Sequence, residues 1–295
     1  MTRRTTDVLL TATAPAIWGS TYIVTTELLP ANYPLTVALL RALPAGLLLL
    51  LIVRQLPARA WWGRILVLGA LNFSILWAML FLAAYRLPGG VAATLTSLQP
   101  LFVVFLASLL LGVPVRALAV VAALVGIGGV ALLVLTPQAT LDALGIAAAL
   151  AGAASMALGT VLSRRWQPPV SALTFTAWQL TAGGLLLLPL ALWLEPPLPA
   201  LTAANWIGFA WLGLIGAALT YIVWFRGVAR LEPSAVAPLA FLSPVTAVIL
   251  GWALLGQSLS VPQVAGILTV IASIWLSQHA QRGAPPPVLA RPAAR

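Results

Sequence analysis

Apolar residues in this chain are grouped into ten blocks of helix length, separated by short breaks rich in Pro, Gly and Arg. A helix needs roughly 20 predominantly apolar residues to cross the hydrocarbon core of a bilayer. The blocks therefore predict an all-α membrane protein with ten transmembrane helices. Their expected bounds are Val8 to Thr26, Leu35 to Val53, Arg64 to Ala84, Gly90 to Leu111, Val115 to Leu135, Leu144 to Ser163, Ser171 to Trp193, Asn205 to Phe225, Ser234 to Leu255 and Pro262 to Gln278.

The second five blocks repeat the first five. Three pairs of motifs match at one spacing of 144 residues: Arg86-Leu87-Pro88 with Arg230-Leu231-Glu232, Leu98-Gln99-Pro100 with Leu242-Ser243-Pro244, and Leu111-Gly112 with Leu255-Gly256. Because each set has an odd number of spans, the second set enters the membrane from the opposite side. Inverted repeats with a binding site where they meet are typical of secondary transporters. We therefore expect a first repeat at 1–137, an inverted second repeat at 138–282, a central cavity between them, and a proline-rich disordered tail at 283–295.

The composition indicates a lipid environment. Hydrophobic residues make up 62% of the 295 positions and charged residues 7%, with a mean hydropathy of +1.06, whereas soluble domains carry roughly a quarter charged residues. The net charge of +10 has a membrane explanation and does not predict a nucleic-acid partner. If the amino terminus is inside, every Arg except Arg41 and Arg86 falls on the inner side. The positive-inside rule then predicts that both termini are cytoplasmic, in a bacterial inner membrane.

The sequence offers few residues for chemistry on a substrate. It has no Cys, a single His and no Gly-rich phosphate-binding loop. We therefore expect no metal, no other cofactor and no enzymatic activity. None of the five acidic residues falls near mid-membrane, where transporters coupled to protons or cations usually carry a carboxylate. This favours uniport or exchange.

Two prolines mark expected weak points in the helices. Pro100 and Pro244 lie deep inside the fourth and ninth blocks, where proline removes a backbone hydrogen bond and kinks a helix. In lipid the freed carbonyl must be satisfied by protein or water, so a kink usually faces a neighbour or a cavity. Their matched positions predict hinges, although such prolines also simply shape helix packing. The polar neighbours expected to line a cavity are Thr94, Ser97, Gln99 and Ser243.

A second set of candidates is aromatic. Trp77 and Tyr221 occupy equivalent repeat positions and lie mid-span, away from the interfacial belts where Trp and Tyr usually gather. Asn72 and Trp224 are their neighbours on the same helices. Aromatic faces hold apolar groups, while a hydroxyl, an amide or an indole N–H orients a carboxylate or amine. The set predicts a pocket for a neutral substrate with polar ends, with ordinary core packing as the alternative for each residue.

The first block supplies the third set. Trp18, Ser20 and Tyr22 are expected to contact substrate, and Gly19 lies between them, with Gly159 as its repeat mate at a nearby spacing. Glycine lets backbones or substrate approach closely. Small residues are also ordinary helix-packing positions in membranes, so Gly19 and Gly159 are interpreted as hinge positions with packing as the alternative.

Arg41 is the only charged residue placed well inside a block. A cation at that depth costs at least about 2.5 kcal/mol on insertion scales. It must therefore face a cavity, a partner or, by snorkelling, the outer headgroups. The functional interpretation is binding of a substrate carboxylate, with Gln179 as the approximate repeat mate of Arg41.

Several of these motifs resemble one known family. The Trp18-Gly19-Ser20 motif, an Arg early in the second block, the Leu-x-Pro turn after the third and the mid-span Pro of the fourth are similar to those of the EamA branch of the drug/metabolite transporter superfamily, and within it to YddG-type amino-acid exporters. The resemblance covers Val8 to about Gln278. It implies ten helices in two inverted halves around a central cavity. The family often has a Lys near the end of the first span, where this chain has Glu27, so a role for that Lys cannot be transferred.

Together these features predict a secondary transporter that exports amino acids or related small neutral or zwitterionic metabolites by alternating access. A multidrug exporter of lipophilic cations is the alternative, because an aromatic cavity also binds cations. A membrane enzyme is a further alternative, but it would need His, Asp, Glu or Cys residues clustered at one membrane depth, and the sequence has no such cluster. A structural membrane subunit would have no need of the polar and aromatic residues along the inverted helices. The expected partners are the lipid bilayer and a small-molecule substrate, with the chain acting as a monomer.

Overall fold

Ten helices that are long and apolar enough to cross a membrane make up most of the described residues, 3–87, 89–134 and 142–280, of this computed structural model. They are α1 (Arg3–Leu28), α2 (Pro34–Val53), α3 (Arg59–Leu80), α4 (Val91–Leu111), α5 (Ala117–Val134), α6 (Ala143–Arg165), α7 (Ala172–Leu194), α8 (Ala203–Arg230), α9 (Pro233–Leu255) and α10 (Val261–Ala280). The helical structure of α3 continues beyond Leu80 to Arg86, and that of α4 already begins at Gly89. Pro88, the boundary expected at 137–138 and the expected tail at 283–295 lie outside the described residues.

Each predicted block is confirmed as a helix, but several helices extend further than the apolar pattern. The helix α1 begins at Arg3 and ends at Leu28, so Glu27, expected in a loop, lies in its last turn. The helix α8 continues to Arg230. The headgroup regions add roughly 10–15 Å to the hydrocarbon thickness. Polar residues can therefore continue a helix beyond the segment that hydrophobicity marks.

The helix ends are fixed by side chains and by glycine. Ser171 and Thr202 each accept a hydrogen bond from a backbone N–H three residues later, at the starts of α7 and α8, as N-cap residues do. The carboxylate of Glu195 accepts from the backbone N–H groups of Leu35 and Thr36 at 2.6 and 2.7 Å, and so caps α2 from the loop after α7. The repeat mates Gly112 and Gly256 end α4 and α9 with φ of 67° and 66°, a left-handed conformation that glycine adopts without strain.

The contacts between helices are symmetric: interchanging the first five helices with the second five gives the same set of contacts. The helix α2 packs on α7 and α5 packs on α10, while α3 and α4 pack on α6 as α8 and α9 pack on α1. Exchange of the halves converts the α3–α6 contact into the α8–α1 contact and leaves the α2–α7 and α5–α10 pairs unchanged. The ten-helix, inverted-repeat fold predicted from the sequence is therefore the fold of the chain.

Small residues allow the two self-related pairs to approach closely. A methyl group added at Gly46 of α2 would meet the side-chain oxygen of Thr181 in α7 at 2.7 Å, and one at Gly184 of α7 would meet Leu43 of α2 at 2.7 Å. In α10, a methyl group at Gly266 would meet the carbonyl of Gly129 in α5 at 2.7 Å. We call the α2–α7 contact through Gly46 and Gly184 the α2–α7 seam.

Helices α4 and α9 are interrupted immediately before their mid-span prolines. In α4 the first segment ends at Thr96 and the second begins at Gln99, and in α9 a 3₁₀ segment, Ala237–Phe241, precedes the final helix, which starts at Leu242. Pro100 and Pro244 each lie just after the interruption, because neither has the N–H that would continue the ladder. The predicted breaks are confirmed, and their use as hinges remains a proposal.

Two other interruptions were not predicted. The middle of α3 is a π-helix over Ala70–Ile75, and the middle of α8 is a π-helix over Trp211–Leu219. The two segments are repeat mates, and π-helical turns often occur at functional sites. The helix α1 is also divided, between Trp18 and Ser20, so that Gly19 lies at the break.

The two ends of the described chain lie on the same side of the bundle. Arg4 donates a hydrogen bond to the carbonyl of Gln278 at 3.4 Å. We call this side the terminal face and the other side the opposite face. Because successive helices alternate in direction, α3 ends and α6 begins at the opposite face.

Candidate substrate site

Five aromatic rings meet where α1, α3 and α8 cross at the centre of the bundle. The ring of Tyr221 lies 4.9 Å from that of Trp18 and 4.7 Å from that of Phe73. Trp224 lies 5.1 Å from Trp18, and Trp77 lies 5.4 Å from Phe73. Aromatic pairs at these separations and tilts attract each other beyond their burial of apolar area. We call these five residues the aromatic cluster.

The π-helical segments place the cluster. Phe73 lies inside the π segment of α3, and Tyr221 follows the π segment of α8 by two residues. A π turn is wider than an α turn and changes the direction of the side chains that follow it. Trp77 and Tyr221 can therefore point to the same centre from two helices of opposite repeats.

Arg41 extends from α2 to the edge of the cluster. Its guanidinium carbon lies 5.1 Å from the centre of the Trp77 ring, and its Nη2 donates a hydrogen bond to the carbonyl of Gly216 at 2.8 Å. The side chain is half-buried, and its Nε is buried without a hydrogen-bond partner among the described residues. The contacts with Trp77 and Gly216 direct the Arg41 guanidinium toward α3 and α8.

A chain of hydrogen bonds joins the cluster to Arg41. The indole N–H of Trp18 donates to the hydroxyl of Thr220 at 2.8 Å. That hydroxyl donates to the Gly216 carbonyl at 2.9 Å, the same oxygen that accepts from Arg41. One backbone carbonyl in the π segment of α8 thus collects donors from α2 and, through Thr220, from α1.

A second polar group lies toward the terminal face. The amide N–H₂ of Asn72 donates to Gln179 Oε1 at 2.8 Å and to the hydroxyl of Ser163 at 3.1 Å. All three are buried, Gln179 completely, and Nε2 of Gln179 has no partner among the described residues. Gly159 lies directly against the Asn72 amide, so close that a Cβ there would collide with it. We call Asn72, Ser163 and Gln179 the amide group.

The two polar contacts correspond to each other across the repeat. Asn72 and Gly216 lie 144 residues apart in the two π segments, and Gln179 is the approximate mate of Arg41. In each half, therefore, a residue of the second helix bonds to the π segment in the third helix of the other half. The predicted pairing of Arg41 with Gln179 has this structural counterpart, although the two are in different polar groups.

Two predicted residues lie on the opposite-face side of the cluster. Ser20 is half-buried, donates to the carbonyl of Ile17 at 2.7 Å and accepts from the indole N–H of Trp211 at 2.9 Å. Tyr22 is 54% exposed, although it interacts electrostatically with Arg41. The surroundings of the guanidinium therefore extend from buried rings to an accessible surface.

The residues beside the helix interruptions form a third region. Thr94 and Ser97 are half-buried on α4, and Ser97 donates its hydroxyl to the carbonyl of Ala93 at 2.7 Å. Gln99 is buried, and its Nε2 has no partner among the described residues. Ser243 is half-buried on α9. Its backbone carbonyl is so close to Gly19 that a Cβ added there would lie 2.5 Å from the carbonyl oxygen. These contacts of Ser97 and Ser243 are with Ala93 of α4 and Gly19 of α1, not with the aromatic cluster.

Sequence reasoning missed several members of these groups. Phe73 adjoins the candidate Asn72, and Ser163 ends the sixth apolar block, but neither has an aromatic or hydroxyl repeat mate that would have distinguished it. Gly216 acts through its backbone carbonyl, which carries no residue-specific pattern. Its match to Asn72 at the spacing of 144 is the one feature that would have singled it out.

The described residues contain no group of three or more His, Cys, Asp or Glu side chains placed to hold a metal ion. The site instead consists of aromatic rings, one cation and neutral polar groups between two inverted five-helix halves. Such a polar and aromatic centre between inverted repeats is typical of membrane transporters of small molecules.

The family follows from the sequence itself. The model of the EamA-like transporter family matches residues 5–135 and again residues 143–278, and the chain belongs to this family. It is a transporter and not an enzyme.

Known relatives agree with this membership. The chain is 45% identical to Protein PecM of Dickeya dadantii over 90% of both chains. It is 27% identical to the uncharacterized transporter YvbV of Bacillus subtilis over 92% of both chains, and 28% identical to the uncharacterized inner membrane transporter YedA of Escherichia coli over 83% of this chain and 81% of YedA. A solved crystal structure, 20% identical in sequence, has the same fold with a TM-score of 0.82 and covers 94% of this chain and 98% of its own.

Proposed function

We propose that this protein exports amino acids or related small zwitterionic or neutral metabolites by alternating access. The observation that carries the proposal is Arg41, a cation at the aromatic cluster with no carboxylate partner among the described residues. A cation inside a membrane protein is normally paired or functional. A substrate carboxylate would supply the missing negative charge.

The acidic residues are all engaged elsewhere. Asp7 and Asp142 form ion pairs with other arginines, Glu195 caps α2, Glu27 accepts from Thr26, and Glu232 interacts electrostatically with Arg164. Each lies in the first two turns or the last turn of a helix, or outside a helix. Among the described residues no carboxylate is paired with Arg41, which supports the proposal that the compensating anion comes with the cargo.

The aromatic cluster would receive the remainder of the substrate. Rings of Trp18, Trp77 and Tyr221 offer apolar faces to a side chain, and the Thr220 hydroxyl offers a polar oxygen near Arg41, since the Gly216 carbonyl already accepts from both Arg41 and Thr220. A substrate amino group would donate a hydrogen bond to that hydroxyl oxygen. The resemblance of the sequence to YddG-type amino-acid exporters supports the same cargo.

The electrostatics disfavour the other substrate classes. A lipophilic cation would approach Arg41 with like charge and find no carboxylate to offset it. A sugar phosphate carries about two negative charges and is usually bound by several basic groups, whereas the described centre offers Arg41 alone. The lack of a mid-membrane acid also favours uniport or exchange over proton coupling.

Transport would proceed by rocking of the helices around the interruptions at Pro100 and Pro244, with Gly19 and Gly159 permitting close approach at the moving contacts. Thr94, Ser97, Gln99 and Ser243 would then face the path of the substrate in part of the cycle. We further propose a monomer in the bacterial inner membrane with both termini in the cytoplasm, in line with the arginine distribution and with the inner-membrane location in the name of YedA.

Counterflow in vesicles containing the purified protein tests the proposal. Vesicles are loaded separately with neutral amino acids, a lipophilic cation or a sugar phosphate, and uptake of the labelled compound is followed. We expect exchange of neutral amino acids and not of the other two classes. Exchange of lipophilic cations alone would replace the proposal with multidrug export, and a requirement for an imposed proton gradient would contradict exchange without coupling.

A further inference from the structure

We propose that two ion pairs, Asp7 with Arg226 and Arg230 at the terminal face and Asp142 with Arg86 at the opposite face, are alternating latches that determine which face is closed. This inference rests on alternating access but not on the identity of the cargo.

The latch at the terminal face joins α1 to α8. Asp7 Oδ1 lies 2.7 Å from Arg226 Nη2 and 3.3 Å from Arg230 Nη1. The Asp7 side chain is only 15% exposed. Immediately below the pair, Gly227 of α8 contacts Thr11 of α1 so closely that a Cβ on Gly227 would collide with the threonine. The two helices are therefore in tight contact at this face.

The latch at the opposite face joins α3 to α6. Arg86 Nη1 lies 3.8 Å from Asp142 Oδ1, and the two side chains are 44% and 42% exposed. Asp142 also accepts a hydrogen bond from the backbone N–H of Gly145 at 2.7 Å, as the N-cap of α6. This ion pair is long and solvated compared with the one at the terminal face.

The two latches occupy corresponding places in the two halves. Arg86 and Arg230 are repeat mates, each at the end of the third helix of its half. Asp142 and Asp7 lie at or near the start of the first helix of the other half. The third helix of each half is thus tied to the first helix of the other by an arginine and an aspartate, once at each face.

The deeper polar contacts have the same asymmetry. The amide group, on the terminal-face side of the centre, is buried and continuous. Its repeat counterpart, Arg41 with Gly216, is half-buried beside the exposed Tyr22. The ion pair and the polar group on the terminal-face side are therefore shorter and more buried than their counterparts, although α3 and α6 also pack closely at the opposite face, where a Cβ on Gly145 would meet Leu87 at 2.7 Å. When the halves rock, the tight and the loose latch would exchange roles, because the two geometries are related by the repeat.

Cysteine labelling tests this proposal directly, because the chain has no Cys. A single reporter is introduced either by Thr11→Cys, at the α1–α8 contact, or by Ala83→Cys, at the corresponding α3–α6 contact; both positions are completely buried. The rate of maleimide labelling of purified protein in lipid nanodiscs, where both faces are accessible, measures how often each contact opens.

Neutralising each latch must move the two reporters in opposite directions. With Asp7→Asn we expect labelling at position 11 to rise about tenfold, as for loss of a buried charge-assisted hydrogen bond, and labelling at position 83 to fall. With Asp142→Asn, which keeps the N-cap, we expect labelling at position 83 to rise by less than about fivefold, as for an exposed ion pair, and labelling at position 11 to fall. Glu27→Gln is the control and should change neither rate.

Opening at one contact without protection at the other would overturn the proposal, since it would indicate local fraying rather than exchange between two states. Unchanged rates in both variants would also overturn it. If Asp7→Asn does not yield folded protein, Arg226→Gln removes the same ion pair from its other side. Asp7→Glu keeps the negative charge and should label at the wild-type rates. No substrate enters the measurement, so a failure of amino-acid exchange leaves this test intact.

Discussion

Replacement of Arg41 separates a role in substrate binding from a role in stability. A hydrogen bond to a charged group contributes about 1.5–3 kcal/mol, which corresponds to a change in affinity of roughly 10- to 150-fold. The guanidinium is already oriented by the Gly216 carbonyl at 2.8 Å and the Trp77 ring at 5.1 Å, so little ordering is lost when a carboxylate binds. We therefore expect Arg41→Gln to lower the exchange of neutral amino acids by about 10- to 100-fold.

The same substitution should not destabilise the empty protein. It removes a half-buried cation without a carboxylate partner, and the Gly216 carbonyl keeps the hydrogen bond from the Thr220 hydroxyl at 2.9 Å. Removal of an uncompensated charge from a membrane interior is favourable. The midpoint of thermal unfolding in detergent should therefore stay the same or rise while transport falls.

Two further variants complete the experiment. Arg41→Lys keeps the charge but cannot stack on Trp77 and bond Gly216 in the same way, so its exchange rate should lie between those of the wild type and Arg41→Gln. Arg54→Gln, at the exposed end of the same helix, is the matched control and should exchange normally. Exchange by Arg41→Gln within twofold of the wild type, at equal protein yield, would refute the carboxylate assignment.

The other predictions concern the cluster and its supports. Trp77→Ala and Tyr221→Ala should each lower counterflow per folded protein about tenfold, because each removes an aromatic face from the proposed site. Both should also lower the unfolding midpoint, because the side chains are buried; normal rates in both would remove them from the site. Gly159→Ala should destabilise the protein by about 1–3 kcal/mol through overpacking against Asn72, seen as a lower unfolding midpoint. Gly128→Ala, which has nothing within 4 Å, is its control and should leave the midpoint unchanged.

The fold was predictable because its main determinants are local and periodic. Ten apolar blocks require helices in lipid, where backbone groups cannot remain unpaired, and the matched motifs around Pro100 and Pro244 located the interruptions in α4 and α9. The inverted arrangement followed from the odd number of helices per repeat. These features depend on residue type and spacing, and both are visible in one sequence.

The site was only partly predictable because its contacts cross between halves. Trp18, Trp77, Tyr221 and Arg41 were identified and do lie together, but the sequence could not show that Gln179 lies in a separate amide group. The π-helical segments result from long-range packing and have no simple sequence signature. The partners of the arginines were also not visible: Arg86 and Arg230 were noted as repeat mates, while their aspartates lie on distant helices.

The α2–α7 seam contains glycine on both sides and is converted into itself when the halves are exchanged. A single ancestral half inserted in both orientations would have met its own copy across this surface. The glycine of each copy would then have packed against the second helix of the other copy. Such a dimer would already have had the two-fold axis that now relates the two halves, before the two copies were joined in one chain. Co-expression of the separated halves should accordingly reassemble along α2 and α7.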